Sequence, residues 1–222
     1  MTKTVLIISP HPDDETLGAG GVIAKYAAQG DRVFVLTVSG HLPPLYKKES
    51  YEITVNEAKE AYKILGVADF EFLDIPATQV GNEPVHILNR KICDAVDKLK
   101  PEVVLCPYPD RHIDHRVIFD SAMVATRPVK SGLNIKLIAA YETLSETHWN
   151  APHIEPNFTP NWVVDISNYF DVKKKALTCY ESQVSESDGP RSLLAIESLA
   201  TFRGTQAGFR YGEAFHVIRM TT

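Results

Sequence analysis

Thr4-Val5-Leu6-Ile7-Ile8-Ser9-Pro10-His11-Pro12-Asp13-Asp14-Glu15 passes, within one short stretch, from an apolar run to one imidazole and three carboxylates. The near-continuous apolar part, Thr4 to Ser9, reads as a strand covered on both faces, the kind found in parallel sheets. Carboxylates packed as closely as those that follow repel one another unless a cation or solvent separates them. A second cluster, Arg111-His112-Ile113-Asp114-His115-Arg116, again follows an apolar run, Glu102 to Cys106.

Working outward, strands and helices alternate. Leu17 to Gln29 reads as a helix stopped by Gly30, and Arg32 to Val38 as a second buried strand. Ile53 to Leu65 is helical up to Gly66, and Phe70 to Leu73 is a short third strand. Leu88, Ile92, Val96 and Leu99 form a helical stripe over Val85 to Leu99, ended by Pro101. Glu102 to Cys106 is the fourth strand, His115 to Ala125 a helix and Ile135 to Tyr141 the fifth strand. Such alternation predicts an open α/β domain with a mainly parallel sheet and right-handed crossovers. The last third is less regular. Leu144 to Pro160 reads as a long loop, Trp162 to Ile166 as a strand, Asp171 to Tyr180 and Leu193 to Ala200 as helices, and Glu213 to Ile218 as a closing strand. No repeat or linker divides the 222 residues, so one domain over 1–222 is expected.

Both charged clusters then lie in loops after strands, at the carboxyl edge where open α/β sheets bind ligands. If strands one and four are neighbours, the clusters meet.

Composition narrows the class of protein. Hydrophobic residues make up 44% and charged residues 23% of the chain, as in ordinary globular proteins. A net charge of −5 argues against nucleic acid as a partner. Cys93, Cys106 and Cys179 form no CxxC pair and read as small apolar side chains. No run approaches the roughly 20 apolar residues of a membrane span. Met1 to Thr4 passes directly into a strand without signal-peptide features. A cytoplasmic protein is expected.

Zinc in hydrolases takes three protein ligands and keeps a further position open. His11 and Asp14, three apart with Pro12 between them, and His115 can supply those three. Two neutral imidazoles and one carboxylate leave the ion about one positive charge, which preserves its power to acidify water. Asp13, beside a ligand but pointing elsewhere, can take the water's proton as general base. His112, three residues before His115, can as an imidazolium stabilise an oxyanion or protonate a departing amine. Asp114 can hold one of the histidine rings through its other nitrogen. Glu15 reads as a helix N-terminal residue favoured by the macrodipole. Arg111 and Arg116 read as charge partners of Asp110, Asp114 or Asp120. His41, His86, His148 and His153 read as solvated, and His216 as a weak site candidate. Gly40 to Tyr51, with Pro43-Pro44, follows strand two and can rim a cleft, with a substrate ring stacked on Tyr46 or Tyr51.

These residues resemble the PIG-L/LmbE-like zinc-dependent N-deacetylases. The family's His-Pro-Asp-Asp-Glu motif stands as His11 to Glu15, and its His-x-Asp-His motif as His112 to His115. Leu17-Gly18-Ala19-Gly20-Gly21 is similar too, as are Lys175-Ala176-Leu177, Ser182-Gln183, Arg203-Gly204 and Glu213-Ala214-Phe215. The resemblance implies a Rossmann-like three-layer fold and hydrolysis of an N-acetyl group on an amino sugar or its conjugate. It implies zinc on His11, Asp14 and His115, with Fe2+ or Mn2+ as alternatives. It implies Asp13 as base, His112 and Asp114 among the catalytic groups, and a small-molecule partner. A homo-oligomer is common for such folds. Where the family often places an arginine, this chain has Thr54, before Glu57.

Three rivals stand beside this reading. Gly18, Gly20 and Gly21 miss the G-x-G-x-x-G dinucleotide pattern, because position 23 is Ile, and no acidic residue ends strand two. Two histidines and a carboxylate also describe a non-haem iron oxygenase, which leaves Asp13 and His112 without a task. A metal-holding binding protein without turnover would need neither.

Overall fold

The computed structural model describes residues 2–151, 153–185 and 188–222. The apolar runs form one seven-stranded sheet. It comprises β1 (Thr4–Ser9), β2 (Arg32–Gly40), β3 (Asp69–Pro76), β4 (Val103–Pro107), β5 (Leu137–Tyr141), β6 (Trp162–Asp165) and β7 (Gly212–Met220). Its order is β3-β2-β1-β4-β5-β7-β6. The pairs from β3 through β5 are parallel, whereas β7 runs antiparallel to both its neighbours. The chain lays down β1, β2 and β3 outward, then crosses back to place β4 on the other side of β1. The switch point therefore falls between β1 and β4.

Alternation along each buried strand builds two cores. Val5, Ile7, Val33, Val35 and Leu105 face helices α1 (Asp14–Ala28), α2 (Lys48–Leu65), α6 (Phe170–Leu177) and α7 (Leu193–Thr205). Leu6, Ile8, Phe34, Leu36 and Val104 face α3 (Val85–Leu99) and α4 (Ile113–Ala125). This is the expected three-layer α/β arrangement. Among the described residues no helix is long and apolar enough to cross a membrane.

Boundaries differ where hydrophobic pattern is not the controlling signal. α2 begins at Lys48 rather than Ile53, because its first turn is solvent-exposed and carries no apolar stripe. β3 extends to Pro76 as an edge strand, a place that tolerates Asp and Pro. The segment read as a loop from Leu144 contains a one-turn helix, α5 (Leu144–Thr147), too short to show a period. Pro152 of that segment lies outside the described residues. Cys106 is buried, and Cys93 and Cys179 are half-buried, all as free thiols.

The glycines at positions 18 and 21 let α1 lie against its neighbours. A Cβ on Gly18 would stand 2.3 Å from Tyr141 Cδ2, and one on Gly21 2.8 Å from Ile166 side-chain carbons. A buried ion pair presses on the same turn. Lys173 Nζ donates to Glu213 Oε1 at 2.6 Å and to the Leu17 carbonyl at 2.7 Å. Glu213 in turn accepts from the amides of Gly21 at 2.8 Å and Val22 at 2.7 Å. The Leu17 carbonyl is the ordinary helical acceptor for the Gly21 amide. The pair thus engages both ends of one helical rung and ties α1 to α6 and β7. Removing one partner of such a pair strands a buried charge. Glu213→Gln is expected to cost about 3 kcal/mol of stability, read as a lowered urea midpoint, and Lys173→Met in the same chain to recover part of it. An unchanged midpoint in the single variant would show that the pair does not hold α1.

Candidate metal centre

β1 and β4 are directly paired, Val5 to Ile7 against Val103 to Leu105, so their following loops emerge side by side. The first runs from Pro10 to Asp13 and enters α1. The second runs from Tyr108 to His112 and enters α4. The two clusters, a hundred positions apart in the chain, converge there.

His11 Nδ1 lies 3.0 Å from Asp14 Oδ2, and His115 Nε2 lies 3.2 Å from the same oxygen. Donors about 2.0–2.1 Å from a tetrahedral ion stand about 3.3 Å from one another, so each of these imidazole nitrogens has the spacing from Asp14 Oδ2 of a fellow ligand on one centre. His112 is close by: one nitrogen from each of His11, His112 and His115 falls within 4.8 Å of the others. Both imidazoles of the tighter set are turned by carboxylates behind them. Asp114 Oδ2 meets His11 Nε2 at 2.9 Å, and Asp110 Oδ2 meets His115 Nδ1 at 3.1 Å. That leaves His11 Nδ1 and His115 Nε2 toward Asp14, the arrangement by which outer carboxylates orient metal-binding histidines.

Charge supports a cation here. Asp14 Oδ1 and His115 Nε2 are buried without a hydrogen-bond partner among the described residues. Burial alone would push His11 down, but the hydrogen bonds from Asp114 and Asp14 carry it up to about 9. For His115, burial is likewise outweighed by Asp14 and Asp110, and it rises to about 10. The protein without metal gathers protons around Asp14, whose own carboxyl stays well below its usual range, against burial, because of His115 and His11. A divalent ion fits this donor set, taking the place of those protons. The residues that could hold it are His11, Asp14 and His115.

Asp13 and His112 face the cleft beside this cluster. Asp13 has φ 117°, a conformation rare outside glycine, and caps the start of α1 with its carbonyl accepting from Thr16 and Leu17. Its buried Oδ2 has no hydrogen-bond partner, and Arg191 Nη1 stands 3.3 Å away. Burial pushes Asp13 upward against the pull of Arg191. His112 is the N-cap of α4, and its Nδ1 accepts the Asp114 amide at 3.2 Å. A neutral ring so engaged carries its proton on Nε2. Burial, with His11 and His115 adding to it, pushes His112 down to about 4. The contact at Nδ1 leaves Nε2 as the nitrogen that faces the cleft with a proton to donate. Asp114 does not line the cleft; it sits behind His11 and also accepts the Thr78 amide at 2.7 Å.

The cleft has a volume of about 460 Å³, and its walls come from the loop after β2, from α2 and from the loop before α7. Tyr46 lines it and lies against His41, ring centroids 4.2 Å apart. Tyr51 does not line it; its ring packs on Gly40 and its hydroxyl bonds to Asp74. Thr54 lines it, buried. His41, expected to be solvated, is a wall residue that burial and His11 push down to about 4. His148 instead meets Glu142 at 2.8 Å, and His216 Nδ1 lies 2.8 Å from the Thr159 carbonyl, outside the cleft. Glu15, in the first turn of α1, is also a buried anchor, accepting from Ser9, Thr16 and Tyr180.

Asp110, Arg191 and Glu146 escape the sequence reading. Asp110 also accepts from the His112 amide at 2.9 Å and from Thr147 Oγ1 at 2.8 Å. Arg111 pairs with Glu146 at 2.6 Å and Arg116 with Glu155, so both arginines are charge partners, but of residues far along the chain. The aspartate before Arg111 was the one available signal, and it read as a surface partner.

An open α/β sheet with two imidazoles and a carboxylate at its switch point, flanked by a free carboxylate and a ring N–H, defines a candidate mononuclear metal hydrolase. The comparisons narrow this. Residues 6–126 match the PIG-L family model, GlcNAc-PI de-N-acetylase, and the chain belongs to that family. It is 29% identical to the diacetylchitobiose deacetylase of Thermococcus kodakarensis over 97% of this chain and 83% of that one. Its fold superposes on the N,N'-diacetylchitobiose deacetylase of Pyrococcus horikoshii with a TM-score of 0.78 at 25% identity, covering 97% of this chain and 84% of that chain. It also superposes, at 0.80 and 21% identity, on the 4-carboxy-2-hydroxymuconate hydratase GalB of Pseudomonas putida, covering 100% and 98%, a likeness of fold alone.

His115→Ala is expected to abolish metal binding, and Asp110→Ala to weaken zinc by about 10–100-fold with the fold retained. Competition against a chromophoric chelator measures both, and full zinc affinity in His115→Ala would remove that residue from the ligand set.

Proposed function

We propose that this protein is a zinc-dependent hydrolase that removes the N-acetyl group from an amino sugar or amino-sugar conjugate. The observation that carries this reading is the free Asp13 carboxylate and the His112 ring beside a three-donor pocket. His11, Asp14 and His115 hold the ion, with Fe2+ or Mn2+ as alternatives to zinc. When bound, the ion supplies a Lewis acid for the amide oxygen and acidifies water toward a pKa of about 7.

The protein's own groups do the rest. Asp13 Oδ2, buried and without a hydrogen-bond partner, accepts the proton of the attacking water. Arg191, fixed by Ser145 Oγ at 3.1 Å and Gln183 Oε1 at 3.1 Å, keeps that carboxylate turned to the cleft. His112 Nε2–H donates to the carbonyl oxygen as negative charge grows on it. The C–N bond breaks as Asp13 passes its proton to the departing nitrogen, giving the free amine and acetic acid, which loses the water's second proton to solvent as acetate. Asp110 and Asp114 keep the two ligand rings in place.

The hydratase neighbour means that the fold does not select the reaction, and an iron oxygenase would share the ligand types. Neither gives both Asp13 and His112 a task on an amide. Family membership and the named activity of the Thermococcus relative support the N-acetyl sugar.

The test is acetate release from N-acetylated amino sugars by metal-loaded protein, with bound metal measured separately. Asp13→Ala is expected to keep its metal and lose about 10²–10⁴-fold in kcat. Wild-type turnover in that variant would refute the role given to Asp13.

A further inference from the structure

Resting on the hydrolase reading above, the cleft wall narrows the substrate further. Arg191 is the one guanidinium or ammonium among the described lining residues. It is already engaged, 3.3 Å from Asp13 Oδ2 and 3.9 Å from Glu146 Oε1, with hydrogen bonds to Ser145 and Gln183. Glu146 takes its second cation from Arg111 at 2.6 Å. Outside the metal cluster the two acids are thus matched by two arginines, and no cation is left for an added anion. Lys47 and Lys48 are exposed and outside the lining. The remaining wall is neutral: Ser50, Ile53, Thr54, Ser182 and Gln183, with hydroxyls and an amide for a sugar's hydroxyls. At the mouth the Tyr46 ring is 38% exposed and backed by His41 at 4.2 Å and an interplanar angle of 35°. A ring held from behind and open in front is a surface for the apolar face of a pyranose.

We propose that the cleft selects uncharged N-acetylhexosaminides, with Tyr46, backed by His41, as the platform for the sugar or aglycone ring next to the N-acetylated one. An anionic aglycone on that platform would find no unengaged cation among the described lining residues and would face the Asp13 and Glu146 carboxylates across the cleft, a penalty that falls on binding and turnover alike.

The experiment compares phenyl N-acetyl-β-D-glucosaminide with its 4-sulfonate, which differs by one weakly coordinating charge, on zinc-loaded enzyme. Acetate release and calorimetric binding are both read. The sulfonate is expected to fall at least tenfold in kcat/KM and in affinity. Tyr46→Ala is expected to raise KM for N,N'-diacetylchitobiose about tenfold with kcat within twofold, and Tyr46→Phe to keep the wild-type KM. A sulfonate handled as well as the neutral glycoside overturns the charge selection, and an unchanged KM in Tyr46→Ala overturns the platform. Tighter binding of the neutral glycoside without acetate from any compound supports the selection while removing the hydrolase reading. No binding of either glycoside overturns both.

Discussion

The Asp14 carboxylate is buried between two imidazoles, and much of the surrounding structure answers that placement. A buried carboxylate is tolerated only with opposite charge close by. His11 and His115 provide it as protonated rings, or the pair shares a cation with Asp14. Either arrangement requires the loop after β1 to touch the loop after β4. The parallel pairing of those strands at the centre of the sheet secures this contact. The two carboxylates behind the rings, Asp114 and Asp110, extend the same logic outward. Each fixes a ring nitrogen away from the centre, so its partner nitrogen faces inward without loss of rotamer freedom at the moment of binding.

The strands of the sheet were legible where each is an unbroken apolar run. β1, β2 and β4 are buried on both faces and announce themselves as such. Their loops carry the two histidine clusters, so His11, Asp14 and His115 could be grouped once β1 and β4 were taken as neighbours. Legibility ended where position depends on distant chain. α5 has no period, yet Glu146 and Thr147 on it complete the surroundings of Arg111 and Asp110. Arg191 reaches Asp13 from a loop 178 positions away, and local sequence holds no trace of that ion pair.

His112 shows a subtler limit. Its spacing from His115 correctly placed the two rings together, with centroids 5.0 Å apart. The protonation state did not follow from spacing. As the N-cap of α4, the ring gives Nδ1 to a backbone amide, and burial among other imidazoles disfavours a second proton. In the proposed reaction this helix-start contact makes the ring a fixed N–H donor rather than a mobile acid. In the reaction proposed above, the departing amine then receives its proton from the group that took it from water, so both transfers are assigned to Asp13.

The double duty proposed for Asp13 accords with its position as the strained residue of the loop. A base that also returns the proton must reach the water on one side and the leaving nitrogen on the other. At φ 117° Asp13 lines the cleft, with Arg191 Nη1 3.3 Å from its Oδ2. The two adjacent aspartates are thus proposed for different tasks, Asp14 as ligand and Asp13 as base. The neighbouring Glu15 carboxylate, tied down by Ser9, Thr16 and Tyr180, anchors the turn against relaxation of that strain.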